Sequence, residues 1–168
     1  MNNPNAVPPI VCFVGRSNSG KTTLIEKLLP SLNRLGIKTG TIKHDVHGFD
    51  IDKPGKDSWR HKKAGADRTI ISSPAKLALV QDTDHDFTLD ELAIFCKGLD
   101  LILTEGYKRE QKPKIEVFRP ELDERPLFNG NDSLIALVSD TETGLDVPVF
   151  GLEDIDGLAE FIRKHFRL

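Results

Sequence analysis

Residues 10–25 read IVCFVGRSNSGKTTLI. Five apolar residues lead into a glycine- and serine-rich elbow, a lysine and two threonines, and then apolar residues again. A continuous apolar run is what a strand buried on both faces of a parallel sheet requires. The elbow fits G-x-x-x-x-G-K-[ST] between a predicted strand and a predicted helix, the context in which that pattern cradles phosphate. Gly15 and Gly20 permit backbone conformations and close approaches that a side chain would block. The N–H groups of Ser17, Asn18, Ser19, Gly20, Lys21 and Thr22 can then converge on phosphate oxygens at the positive end of the following helix. Lys21 would neutralise the outer phosphates, the Thr22 hydroxyl would hold Mg²⁺, and Thr23 would reach the innermost phosphate. Nucleoside triphosphate binding is the expectation.

Moving outward, the loop should be followed by a helix from about Lys21 to Leu35. Leu24, Ile25, Leu28, Leu32 and Leu35 fall on one face, Gly36 suits the C-terminal cap, and Pro30 predicts a kink or early end. IKTGTIKH reads as a second strand and DSWRHKKAGA as a short helix, with Asp57 or Ser58 as N-cap. RTIISSPAKLALVQ gives two strands around a Ser-Pro turn. TLDELAIFCKG opens with Thr88 and Glu91 spaced as a capping box. LDLILTEG, KIEVFR, SLIALVSD and VPVFG are further strands, and a helix from about Glu153 to Phe166 ends the chain. Alternating strands and helices predict an α/β fold with a mostly parallel sheet and a β-hairpin extension. We expect one nucleotide-binding domain over 1–168, with 1–9 as a flexible lead-in.

The bulk numbers restrict the function. The chain has 168 residues, and 23 basic against 26 acidic side chains leave a net charge of −3. No global field favours nucleic acid or an acidic membrane. Cys12 and Cys96 stand far apart in apolar segments and read as buried, inert thiols. The polar start and the lack of a long apolar stretch point to a cytoplasmic protein.

A phosphate loop needs an acid at the end of a neighbouring strand. Glu105 stands one residue beyond the apolar run of LILTEG, at the carboxyl end where ligands bind. Asp100, at the opposite end, is discounted. Asp45 follows the second strand and could take a second metal-facing position. His44, His47, Asp50 and Asp52 lack the spacing of a zinc site, and no thiolate joins them. Lys56, Arg60, His61, Lys62, Lys63 and Arg68 form a basic patch, either a solvated helix face or a landing site for a second anionic ligand. Lys56, Arg60, His61 and Lys63 are its candidate contacts. The N-K-x-D string of many guanine-specific proteins is absent. Asp140, after the strand LIALV, stands where a base-reading acid belongs, with a turn cap as the competing reading.

Four stretches together resemble the molybdopterin-guanine dinucleotide biosynthesis adaptor (MobB) family. They are GRSNSGKTTLIEKLLPSL, TIKHDVHGFDIDKPGKDSWRHKKAGA, LILTEGYK and LIALVSD…VPVFGLEDI. The resemblance runs from about Val11 to Phe161, and the second stretch is its most distinctive part. It implies a GTP-binding protein, forming homodimers, that assists the transferase joining GMP to molybdopterin (the molybdenum cofactor guanylyltransferase). Molybdopterin-bearing proteins are a further implied class of partner. It carries over the loop Gly15 to Thr23, Asp45 and Glu105 beside Mg²⁺, and Asp140 at the base. The hairpin would then extend a partner's sheet. No glutamine or arginine stands in a motif that orients water or stabilises transition-state charge. A slow GTPase at most is expected. A small-molecule kinase or ligase, and a metal-delivering GTPase, are the competing classes.

Overall fold

The computed structural model describes residues 7–128 and 133–168. Of the expected lead-in, residues 1–6 lie outside the described part. Asp45–Thr88 forms one compact unit, and the described residues on either side of it form the other.

The larger unit is built on six strands: β1 (Ile10–Val14), β2 (Thr39–Lys43), β5 (Leu101–Glu105), β6 (Lys114–Val117), β7 (Leu134–Val138) and β8 (Val149–Phe150). Their order is β2-β5-β1-β6-β7-β8, and every pairing is parallel. The apolar continuity of β1 has a direct cause. Val11 and Phe13 enter a core with Leu24, Leu28 and Leu32 of α1 (Lys21–Arg34) and Leu158 and Ile162 of α4 (Ile155–Phe166). Ile10, Cys12 and Val14 point the other way, into a second core with Ile102, Leu89 and Ala93. Leu89 and Ala93 belong to α3 (Leu89–Ala93), which continues as one 3-10 turn over Ile94–Cys96. The expected helix is thus shorter than its sequence pattern. Burial pushes the thiols of Cys12 and Cys96 up, away from thiolate chemistry.

Helix α1 runs through Pro30 to Arg34, so the expected early end does not occur. A mid-helix proline forfeits one backbone bond, but side-chain bonds to α4 and its approach hold the helix on both sides of it. Lys27 donates to Glu153 at 2.7 Å, Ser31 to Asp156 at 2.8 Å and Arg34 to Asp156 at 2.6 Å. Leu35 is the C-cap and is exposed rather than part of the apolar face. The Asp154 carboxylate caps α4 by accepting from the Gly157 N–H at 3.1 Å.

The Asp45–Thr88 unit holds α2 (Asp57–Lys63) and the antiparallel pair β3 (Arg68–Ser72) and β4 (Leu77–Gln81). The N-cap of α2 is Lys56, which makes no side-chain cap; Asp57 lies in the first turn. Ser73 Oγ accepts from the Lys76 N–H at 3.0 Å and closes the hairpin turn. Ile70 pairs with Leu79 and Ser72 with Leu77, so three large apolar side chains share one hairpin face, and all three are exposed.

Candidate functional site

Strand β1 is the point from which the chain turns to both sides of the sheet. Its carboxyl end, between those of β5 and β6, is therefore the crevice where ligands collect in such sheets. Gly15 leaves β1 at φ +142, Asn18 adopts φ 61, and Gly20 enters α1 at φ +95. A methyl at Gly15 would stand 2.5 Å from the Val117 carbonyl oxygen and 2.8 Å from Ser19 Oγ. The first glycine of the loop is thus required by its strand neighbour as well as by its dihedrals. No side chain caps α1, so its first N–H groups face the loop's concavity, where an anion is favoured.

Lys21 lies back over the loop. Its Nζ donates to Arg16 O at 2.7 Å and approaches Gly15 O at 3.4 Å and Ser19 Oγ at 3.5 Å. Burial lowers its pKa; the Glu105 carboxylate raises it in part, and Lys108 and Lys43 lower it further. Lys43 and Lys108 add like charge to the surroundings of Lys21, which favours an anion beside it. Thr22 Oγ1 donates to Glu105 Oε1 at 2.9 Å. Glu105 closes β5 in register with Phe13 of β1 and Lys43 of β2, and its carbonyl accepts the His44 N–H at 3.2 Å. The hydroxyl and the carboxylate are hard oxygen donors of the type Mg²⁺ takes, so the pair fits that ion. Thr23 is exposed on the first turn of α1. Ser17 and Asn18 form the exposed crest of the loop, and Ser19 is buried beneath it.

The other predicted residues are less simply placed. Asp140 follows β7, and its Oδ1 accepts from the Leu152 N–H at 2.8 Å, tying the loop after β8. It thus already has the structural job of a turn cap. Asp100 Oδ2 accepts from the Lys38 N–H at 2.8 Å at the amino end of β5. Asp45 belongs to the smaller unit, where its Oδ1 accepts from the His47 N–H at 3.0 Å. No group of three or more His, Cys, Asp or Glu side chains suited to a metal occurs among the described residues. On α2, a cavity of about 500 Å³ is lined by Arg60, His61 and Lys63 together with Asp57 and Trp59. Arg60 stands 3.8 Å from Asp57, Lys63 lies over the Trp59 ring, and Lys62 pairs with Asp82 at 2.6 Å. The patch is partly neutralised by its own neighbours.

Sequence reasoning missed the residues that surround the loop from the β6 side. Arg119 Nε donates to Ser19 O at 3.0 Å, and Arg16 forms an ion pair with Asp123. On β6 itself, Lys114 and Glu116 are buried. The Glu116 carboxylate accepts the N–H groups of Leu127 at 2.7 Å and Phe128 at 3.1 Å. No motif announces them; the only signal is that KIEVFR ends in an arginine at a strand end.

Among the described residues no helix is long and apolar enough to cross a membrane. Residues 10–140 match the family described as molybdopterin guanine dinucleotide synthesis protein B. The chain is 42% identical over 159 residues to the molybdopterin-guanine dinucleotide biosynthesis adapter protein of Escherichia coli (strain K12), covering 92% of this chain and 91% of that one. It is 38% identical over 158 residues to the protein of that name from Haemophilus influenzae, covering 93% and 88%. Among solved structures, Bacillus subtilis MobB is similar at a TM-score of 0.72 and 31% identity, covering 94% of this chain and 98% of that one.

Proposed function

The chain belongs to the molybdopterin guanine dinucleotide synthesis protein B family, and from that premise we propose that it is a GTP-binding adapter in molybdenum cofactor biosynthesis. The observation that carries the proposal is the meeting of Lys21, Thr22 and Glu105 at the mouth of a glycine-shaped loop. A triphosphate there would receive the loop's N–H groups and the Lys21 charge. Mg²⁺ held by Thr22 and Glu105 would screen the phosphate oxygens. The implied partner is the enzyme that attaches GMP to molybdopterin, in the cytoplasm. We assign the chain the holding of nucleotide rather than rapid turnover.

Guanine selection falls to Asp140 in this reading. Asp140→Asn keeps an oxygen to accept the Leu152 N–H while replacing the other carboxylate oxygen with a donor. Calorimetric titration should show wild-type chain binding GTP more tightly than ATP, and the variant losing about tenfold of that preference. Equal binding of GTP and ATP by the wild type would refute a guanine-specific adapter.

The hairpin is our candidate for a homodimer contact. Ile70, Leu77 and Leu79 form an exposed apolar strip on one face of β3–β4, a liability unless covered. Leu77→Asp should shift the protein from dimer to monomer in sedimentation velocity without changing its helix content. A variant with the wild-type sedimentation coefficient would remove the hairpin from the interface.

A further inference from the structure

Arg119 lies on the opposite side of β1 from the Thr22–Glu105 pair. It follows β6, whose pairing with β1 sets Val14 against Glu116, whereas Glu105 closes β5 on the other flank. Its side chain crosses back over the loop: Nε donates to Ser19 O at 3.0 Å, and a methyl at Gly20 would meet a terminal guanidinium nitrogen at 3.4 Å. Among the described residues this is its one hydrogen bond, and no carboxylate neutralises it. The side chain is half-buried, so part of its hydration is already lost. One of five N–H donors is engaged and the charge is unspent, held against the two residues at which the loop becomes a helix.

We propose that Arg119 is a phosphate-binding residue that contacts the inner, α-phosphate of the bound nucleotide. This rests on reading the loop as a nucleoside triphosphate site. In such loops the lysine and the metal serve the outer phosphates, and here Glu105, which with Thr22 would hold the metal, closes β5 on the other flank. The inner phosphate lies over the start of the helix, where Gly20 contributes no side chain between it and the guanidinium. Arg119 thus splits the work with Lys21: the lysine and Mg²⁺ would serve the outer β- and γ-phosphates, and the arginine the α-phosphate that GTP, GDP and GMP share. Such a division lets the chain retain a nucleotide through loss of its γ-phosphate.

The test is calorimetric titration of GTP, GDP and GMP into wild type, Arg119→Ala and Arg119→Gln, with thermal midpoints as the check on folding. Glutamine keeps a donor for Ser19 O and removes the charge. Both variants should lose about tenfold or more in affinity, by the same factor for GTP and GDP, as expected for one charge-assisted contact common to both. Three outcomes overturn the assignment while leaving the triphosphate site standing. They are wild-type affinity in Arg119→Ala, full recovery in Arg119→Gln, and a loss confined to GTP. A wild-type chain that binds no nucleoside triphosphate overturns the site and the assignment together.

Discussion

Lys21→Ala is expected to lower triphosphate affinity by about 100-fold or more, the effect of removing a charge-assisted contact from a desolvated site, and to leave the fold intact. Its short bond, to Arg16 O at 2.7 Å, is exposed, so water can replace the ammonium there, and its contacts with Gly15 O and Ser19 Oγ are long, at 3.4 and 3.5 Å. The change in stability should therefore stay within about 1 kcal/mol. Titration calorimetry and a thermal melt decide the two halves separately. Retained GTP affinity in a folded variant would dismiss the loop as the nucleotide site. A pH dependence follows from the same surroundings. Burial, with Lys43 and Lys108, holds the ammonium below the usual lysine range despite the opposing pull of Glu105. Affinity in the wild type should decline as pH rises through that lowered value, because the neutral amine no longer attracts phosphate.

The part of this site that the sequence made legible is the part whose physics is local. The apolar run of β1 reads as doubly buried because it is, with Val11 and Phe13 on one core and Cys12 and Val14 on the other. The loop's glycines answer to dihedrals at their own positions, and Glu105 is expected at the site from its place one residue past an apolar run. Arg119 answers to nothing local. It reaches Ser19 only because β6 lies beside β1, and that adjacency joins residues a hundred positions apart. Of the two outcomes expected at Pro30, a kink or an early end, the early end does not occur. The helix-breaking tendency is real, but Leu24, Leu28 and Leu32 bury one face of the helix in the core on both sides of Pro30, and Lys27, Ser31 and Arg34 bond to Glu153 and Asp156, all contacts with other elements. Asp140 carried two readings, turn cap and base reader. The cap is visible in its bond to Leu152, and the base awaits the specificity measurement.

Lys114 and Glu116 are the plainest case of a misleading pattern, and they carry the largest expected effect on stability. KIEV alternates charged and apolar residues, as a strand with one wet face does. Yet Lys114 is 2% exposed and Glu116 1%. What covers that face includes irregular chain after β5, whose backbone groups need polar partners. Lys114 Nζ supplies donors to Glu110 O, to Lys112 O at 3.2 Å and to Ser133 Oγ at 3.1 Å. Glu116 supplies acceptors to the Leu127 and Phe128 N–H groups. Glu116→Ala leaves the part-buried Leu127 and Phe128 N–H groups without their acceptor and should destabilise the protein by about 3 kcal/mol in urea denaturation. A loss under about 1 kcal/mol would mean that this chain segment is not held by the carboxylate. The pH dependence has a definite sign. Burial raises the Glu116 pKa above 4.5, against the two N–H bonds and the charges of Lys108 and Arg16. A carboxyl raised in the folded state binds its proton more tightly there than in the unfolded chain. Its contribution is therefore full below the unfolded value and lost as pH rises through the folded one. Asp123 and Asp156, held low by Arg16 and by Ser31 with Arg34, act in the opposite direction and at lower pH. Above 4.5, then, the wild-type thermal midpoint should carry a downward contribution with rising pH that Glu116→Gln lacks. Parallel midpoint profiles for the two proteins across that window would show that the buried carboxyl titrates no differently in the folded chain than in the unfolded one.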